Sequence, residues 1–477
     1  MRLSPESEPL IQLISMKKIS LLALATISLG QTFAQDFPGY RTGNYTGVNG
    51  VFFNPANISG SRYRFDINLV SVSTLEGNDH FSYKLKDMSQ TFKGDSAKSQ
   101  LFGKNAGPSS GTMNVDFHGP SVMFNTGKKT SFALTTRARV FASVVDVDGK
   151  LFNKISEDFN SSDPNLPYTI SSSQNMRVAI NAWSEFGASI GRILYDQGPH
   201  MIKGGITLKY LSGAGNGYAN INQFNGKLDK DLVAQDAYLS NTTGHISVGF
   251  GGINISNIQA ADLTKKHGSG MGGDIGVIYE YRPDAGTENK TPSYKFKFGL
   301  SLLDIGKIKY KKDALRSGDY DINITGNERF YMNQLNGVAL NDYNTFLSSK
   351  PQYFTPSSSN INTDYSVSLP TSLQIDADYH VEKGFFVSLA SQVSLSNNKT
   401  KVYNNQTYSG VTLTPRFETK IFGFYLPLNY NSLSKFNAGA SFRFGPVFIG
   451  SGSIVSALVS RSRQVDFHFG VRFGGLK

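Results

Sequence analysis

Seven histidines, at positions 80, 118, 200, 245, 267, 380 and 468, are the first candidates for catalysis or metal binding. A helical metal centre of the His-Glu-x-x-His kind needs two of them on adjacent turns, and no such spacing occurs. His118 is near Asp116, and His380 is near Asp378. In a strand, residues two apart simply share a face. A hydrolytic triad needs Ser, His and an acid to converge in space, and no spacing here encodes that. His267-Gly268-Ser269-Gly270-Met271-Gly272-Gly273 is glycine-rich but lacks the Gly-Lys-Ser/Thr end of a phosphate loop. With no cysteine, there are no disulfides, thiolate metal sites, cysteine nucleophile or lipid-modified N-terminal cysteine. The expectation is a protein that is not an enzyme and uses no cofactor or metal.

The elements that must carry these residues are strands. Tyr294-Lys295-Phe296-Lys297-Phe298-Gly299-Leu300-Ser301-Leu302 sends Tyr, Phe, Phe, Leu, Leu to one face and Lys, Lys, Gly, Ser to the other. Such a period of two defines a half-buried strand. Fourteen segments read this way: 62–73, 113–124, 130–145, 176–191, 200–211, 269–282, 293–303, 365–381, 384–395, 409–418, 420–430, 434–444, 446–452 and 464–473. His245–Ile255 competes with the sixth. Short connections such as Asn125–Lys129, Asp196–Pro199 and Glu382-Lys383 alternate with long ones at 74–112, 146–175, 212–268 and 304–364. The long ones are polar and read as loops. Short turns at one end and long loops at the other predict an all-β transmembrane antiparallel barrel, with both termini in the periplasm.

Export signals agree. Met16-Lys17-Lys18 opens a basic region, Ile19–Leu29 is apolar, and Thr32-Phe33-Ala34 suits a signal peptidase. Residues 1–34 therefore read as a signal peptide. Residues 1–15 are unlike any part of one, and a start at Met16 would make them a start-site artefact. Residues 35–61 read as a periplasmic plug segment and 62–477 as the barrel. The formal charge is +11, and losing residues 1–34, with three basic and two acidic side chains, leaves about +10. No compact basic cluster points to nucleic acid. The balance fits loops and a wall facing anionic outer-membrane lipid.

Parity sends Phe65, Ile67, Phe132, Leu134, Ile206, Leu208, Ile275, Val277, Phe296, Phe298, Leu300, Phe467 and Phe469 outward into lipid, where a charge costs roughly 2–4 kcal/mol near midplane. Arg64, Arg137, Arg139, Lys203, Lys209, Lys295, Lys297, Arg416, Arg443 and Arg472 then face inward with Asp66, Asp274, Glu280, Asp376, Asp378 and Glu418. Two readings of this interior stand. Paired charges could hold a plug and ordered water, or Arg137, Arg139, Lys297, Arg416 and Arg443 could line an anion path. Glycines inside strands, at Gly204-Gly205 and Gly439, mark a bulge or a close approach. Before the first strand, Asn54, Pro55 and Ala56 read as a capped, proline-started short helix and as the core of the plug.

That Asn-Pro-Ala segment, followed by a first strand at Tyr63–Ser73, resembles the fourteen-stranded long-chain fatty acid transporter superfamily. Further motifs match a Bacteroidota family of outer-membrane barrels of unknown function. They are Gly272-Gly273-Asp274-Ile275-Gly276, Leu302-Leu303-Asp304-Ile305-Gly306, Leu369-Pro370-Thr371, Pro415-Arg416-Phe417-Glu418 and Gly445-Pro446-Val447-Phe448. The resemblance spans most of residues 36–473. Phe473 is followed by four further residues, so a terminal aromatic assembly signal would be displaced.

What the resemblance implies is passive uptake of a hydrophobic or amphipathic small molecule. The shuttle barrel of the type nine secretion system is also related, which keeps a structural or secretion-linked barrel with protein partners as the alternative. On the uptake reading, Gly299 and Gly204-Gly205 are places where the wall could open.

Overall fold

The computed structural model describes residues 36–87, 108–149, 151, 166–172, 175–255, 258–284, 294–338, 340–357, 364–396 and 401–477. Residues 1–34, the expected signal peptide, and much of two long connections lie outside them. The fourteen strands form one closed antiparallel barrel. In chain order they are β1 (Tyr63–Asn78), β2 (Pro108–His118 and Ser121–Thr126), β3 (Thr130–Asp148), β4 (Met176–Gln197), β5 (His200–Asp231), β6 (Gly268–Tyr281) and β7 (Phe296–Lys311). There follow β8 (Asp364–Ser368 and Ser372–Glu382), β9 (Phe385–Ser394), β10 (Gly410–Glu418) and β11 (Phe422–Tyr425 and Leu428–Asn431). The last three are β12 (Lys435–Ala438 and Ala440–Phe444), β13 (Val447–Ser451) and β14 (Gln464–Leu476). Each pairs with its chain neighbours, and β1 closes on β14 from Tyr63↔Leu476 to Gly77↔Gln464. Closure gives each barrel strand a partner on both sides.

Turn chemistry sets the ends. Four short turns carry a glycine at positive φ, Gly127, Gly198, Gly384 and Gly445, a conformation that costs glycine little. These turns lie at the end where β1 begins and β14 finishes. Above them runs an apolar outward belt: Phe65, Leu134, Leu208, Ile275, Phe298 and Leu300 are all exposed. A belt of this kind belongs against hydrocarbon.

Four expectations are corrected. Tyr294 precedes its strand, escapes the pleat and is buried, bonding Asp378 inside. Arg64 is exposed, because the β1–β14 register shifts between Tyr63 and Phe65. The seventh strand runs on to Lys311 rather than stopping at 303, and the last to Leu476 rather than 473.

The long connections are also more than loops. β5 rises past the barrel rim and pairs with Asp236–Gly252, which pairs in turn with Gly318–Ile324. With the short helix Tyr343–Ser348 they enclose an apolar core of Phe224, Leu228, Val248, Ile324, Phe330 and Leu347. His245–Ile255 thus belongs mainly to a protruding lobe, and the sixth barrel strand stands as expected.

Phe298 points outward and Lys297 inward, 3.8 Å from Asp378. Phe298→Arg should harm folding into vesicles far more than Lys297→Ala, by roughly 2–4 kcal/mol near midplane. Folded fraction read from heat-modifiable gel migration checks this. Equal yields would mean the faces are reversed.

Candidate functional site

Residues 36–61 lie against the inward faces of the wall, in three short 3₁₀ turns at Tyr40–Thr42, Gly47–Phe52 and Pro55–Ile58. Turns this short do not hold themselves. The wall holds them. Val48 N–H donates to Asp66 Oδ2 at 2.7 Å, and Asn44 N–H donates to Glu418 at 3.1 Å. Ser301 Oγ donates to the Phe53 carbonyl at 3.0 Å, and Ser441 Oγ to that of Pro38 at 2.8 Å. Arg41 Nη2 donates to Gln374 Oε1 at 3.0 Å. These partners come from β1, β7, β8, β10 and β12, so the segment spans the lumen.

Its most closely fitted part is Asn54–Ser59. Asn54 caps the turn, accepting from Ala56 N–H at 3.0 Å. Its amide also donates to the carbonyls of Val277 and Leu300, each at 3.3 Å. Beneath it Gly191, Gly205, Gly276 and Ser301 stand side by side in register across β4, β5, β6 and β7. A Cβ on Gly205 would strike the Pro55–Ala56 backbone, one on Gly276 would strike the Asn54 side chain, and one on Gly191 would come within 2.8 Å of Ile58. The three glycines of the row leave room for the turn that lies on them. Gly205 and Gly299 therefore face the seated segment, since a Cβ on Gly299 would meet the Asn54 amide at 3.5 Å. They do not mark a free wall.

Two charge networks flank this seat. In one, Arg137 pairs with Asp116, Arg139 with Asp304 at 2.7 Å, and Lys209 with Asp274 and Asp304 at 2.9 and 2.7 Å. Glu185 sits among all three cations, at 3.5–3.8 Å. In the other, Arg416 grips Asp378 at 2.6 Å and Glu418 at 3.0 Å, with Lys297 alongside. Arg443 stands apart. It is 1% exposed, and its guanidinium caps the β10–β11 turn through the carbonyls of Thr419, Lys420, Ile421 and Phe422. The five basic residues expected to line the lumen thus fall into three groups, four of them ion-paired.

Sequence reasoning passed over Asp304 and Glu185. Asp304 sits at a β-bulge, with φ of 56°, between Leu302 and Ile305. The adjacent Leu302-Leu303, which breaks the alternation, was its signal. Glu185 shares the inward parity of β4 and was readable there.

Toward the loop end, next to the seated segment, lies a cavity of about 90 Å³. Arg41, Arg137 and Arg139 border it with Phe52, Phe53, Phe141 and Leu303, and Asn431, Leu433 and Ser434 reach it from one side. There the wall changes character. β13 ends at Ser451, so the outer part of β12 and the start of β14 face each other with no ladder between. Side chains close the seam: Ser462 Oγ donates to Asn437 Oδ1 at 2.6 Å, and Ser434 Oγ to Gln464 Oε1 at 2.9 Å. Ala438 N–H donates to Ser456 Oγ at 2.8 Å, tying in the helix Ile454–Val459.

A family described as Family of unknown function (DUF5723) matches residues 55–452. No curated protein matches. Similar solved structures include the Ralstonia pickettii toluene transporter TbuX, at 10% identity over 92% of this chain and 95% of that one, TM-score 0.39. A Pseudomonas aeruginosa FadL homologue gives 10% identity over 92% and 99%, TM-score 0.41. The P. putida toluene transporter TodX gives 10% over 93% and 96%, TM-score 0.37.

The glycine row makes a direct test possible. Gly205→Val should unseat Asn54–Ser59, since overpacking costs about 1–3 kcal/mol. In a chain without cysteine, Ala56→Cys is a unique thiol. Its maleimide labelling should quicken about tenfold when Gly205→Val is added. Unchanged labelling would mean the seat does not depend on that contact.

Proposed function

The chain belongs to this family, and we propose from its own geometry that it is an outer-membrane barrel for passive uptake of small amphipathic molecules. Residues 1–34 act as its export signal, and 35–61 as a plug closing the short-turn, periplasmic side. The observation that carries this reading is the cavity beside the seated segment. Its border sets paired charges, Arg137 and Arg139 with Asp36 and Asp304, beside Arg41 and aromatic and aliphatic faces, which suits a small molecule with a polar head and an apolar body. The cavity has room for about three waters, so passage needs the wall or the plug to yield. The seam between β12 and β14 adjoins the cavity and is held by side chains alone.

The lobe beyond the rim favours a second reading. It has an apolar core of its own, and a barrel filled with ion pairs that presents such a lobe suits docking of protein partners in secretion.

Deletion of residues 36–58 should raise single-channel conductance in a planar bilayer; unchanged conductance would remove the plug. Asn437→Cys with Ser462→Cys, bridged by a short bis-thiol reagent, should slow entry of an amphipathic carboxylate into proteoliposomes severalfold, and reduction should restore it. If the bridge leaves entry unaltered, the seam is not the route. A deletion strain that takes up such compounds normally but fails in secretion would replace uptake with the second reading.

A further inference from the structure

β7 changes phase partway along. Below Asp304 its outward residues are Phe296, Phe298 and Leu300, and above it they are Ile305, Lys307, Lys309 and Lys311. The bulge at Asp304 causes the change, because one extra residue exchanges the two faces. Without it, Ile308 and Tyr310 would point outward. They are instead 2% and 1% exposed inside, and three lysines take the outer face on one straight strand.

The setting of these lysines is specific. Ile305 and Leu208, 42% and 64% exposed, end the apolar belt directly beneath them, and Met271, 63% exposed, lies level with Lys307. Lys307 stands opposite Met271 on β6 and Ser368 on β8, and Lys309 opposite Ser269 and Ser366. One strand further, Lys266 lies 5.5 Å from the ring of Tyr210, itself exposed and paired with Met271. The acid on this face is Asp364, which pairs with Lys309 at 2.8 Å and is opposite Lys311. Alternate residues on a strand are about 6.5–7 Å apart, so adjacent ammonium groups can share one phosphate or grip two.

We propose that Lys307, Lys309 and Lys311, with Lys266 and the flanking serines, form a binding site for phosphate headgroups of anionic lipid in the surrounding leaflet. The apolar residues below take acyl chains while the ammonium groups take the phosphate, the division found wherever basic side chains stand at a bilayer surface. The site rests on the membrane-spanning reading above. It also gives the bulge a purpose, since the same turn of backbone that sends Asp304 in sends the lysines out.

Full-length protein is first floated with phosphatidylcholine vesicles, then presented in detergent with phosphatidylglycerol or phosphatidylcholine and examined by native mass spectrometry. The wild type should retain phosphatidylglycerol preferentially. The triple variant Lys307→Ser, Lys309→Ser, Lys311→Ser should lose about a hundredfold in retention, each lysine near an anionic surface contributing about fivefold. A control, Lys128→Ser with Lys129→Ser at the short-turn end, should retain the lipid. Heat-modifiable migration confirms that both variants fold. Equal retention of the two lipids by the wild type, or an unaltered triple variant, would overturn the site. Displacement by inorganic phosphate at matched concentration would overturn its assignment to lipid. Failure to float would remove the membrane-spanning reading itself, and the site with it.

Discussion

Alternation is the constraint on which this structure depends. A closed ladder gives every side chain one of two destinations, and an apolar belt on one side drives charge to the other. An unpaired buried charge is costly, so the interior must neutralise what the pleat delivers. Arg137, Arg139 and Lys209 meet Asp116, Glu185, Asp274 and Asp304, while Arg416 meets Asp378 and Glu418. Burying such groups does not by itself add stability, since desolvation offsets the attraction. What the networks supply is a rigid inner surface of oriented donors and acceptors, and the N-terminal segment is moulded on it.

Asp304 shows how one local departure organises two regions. Its backbone N–H donates to Asp274 at 2.7 Å, and its carboxylate takes both Arg139 and Lys209. Its carbonyl accepts from Thr371 at 2.7 Å, where β8 is itself interrupted by Leu369-Pro370-Thr371. Both neighbouring ladders are thus irregular at one level. Proline cannot donate to a ladder, so Pro370 requires a place where no bond is due, and the bulge provides it. Outside, the same slip moves the lysines of β7 to the surface.

The barrel was legible in the sequence because its signal is local. Each of the fourteen strands shows its own period of two, and the turn glycines mark the short end. Asn54 and Pro55 likewise spelled out a capped turn. What stayed hidden depends on contacts between distant residues. Gly205 and Gly276 look alike whether they weaken a strand or receive another backbone, and only the fold brings Asn54–Ala56 onto them. The partners of Arg139 lie on β4 and β7, and no spacing names them. The lobe stayed hidden although Ile246, Val248 and Phe250 alternate like a barrel strand, because nothing local says whether such a strand joins the barrel or pairs beyond its rim. Tyr294 departs from the alternation because it lies two residues before the ladder begins.

The way the N-terminal segment is attached bears on whether it can leave. Its bonds to charge are second claims on groups already paired. Asp66 keeps Arg472 when Val48 N–H departs, and Glu418 keeps Arg416 when Asn44 departs. Asp36 of the segment meets Arg137, which Asp116 also holds, and Arg41 reaches the neutral Gln374. Other anchors are neutral: hydroxyls of Ser73, Ser301 and Ser441, and the carbonyls met by Asn54. Releasing a neutral hydrogen bond into a wetted lumen costs little net, whereas stranding a buried charge costs several kcal/mol. Unseating the segment leaves these wall charges partnered, and what it bares is the glycine and serine seat together with the apolar faces of Met123, Ala133 and Phe448. A wall that neutralises itself can hold a removable insert, and that is the arrangement a plug requires.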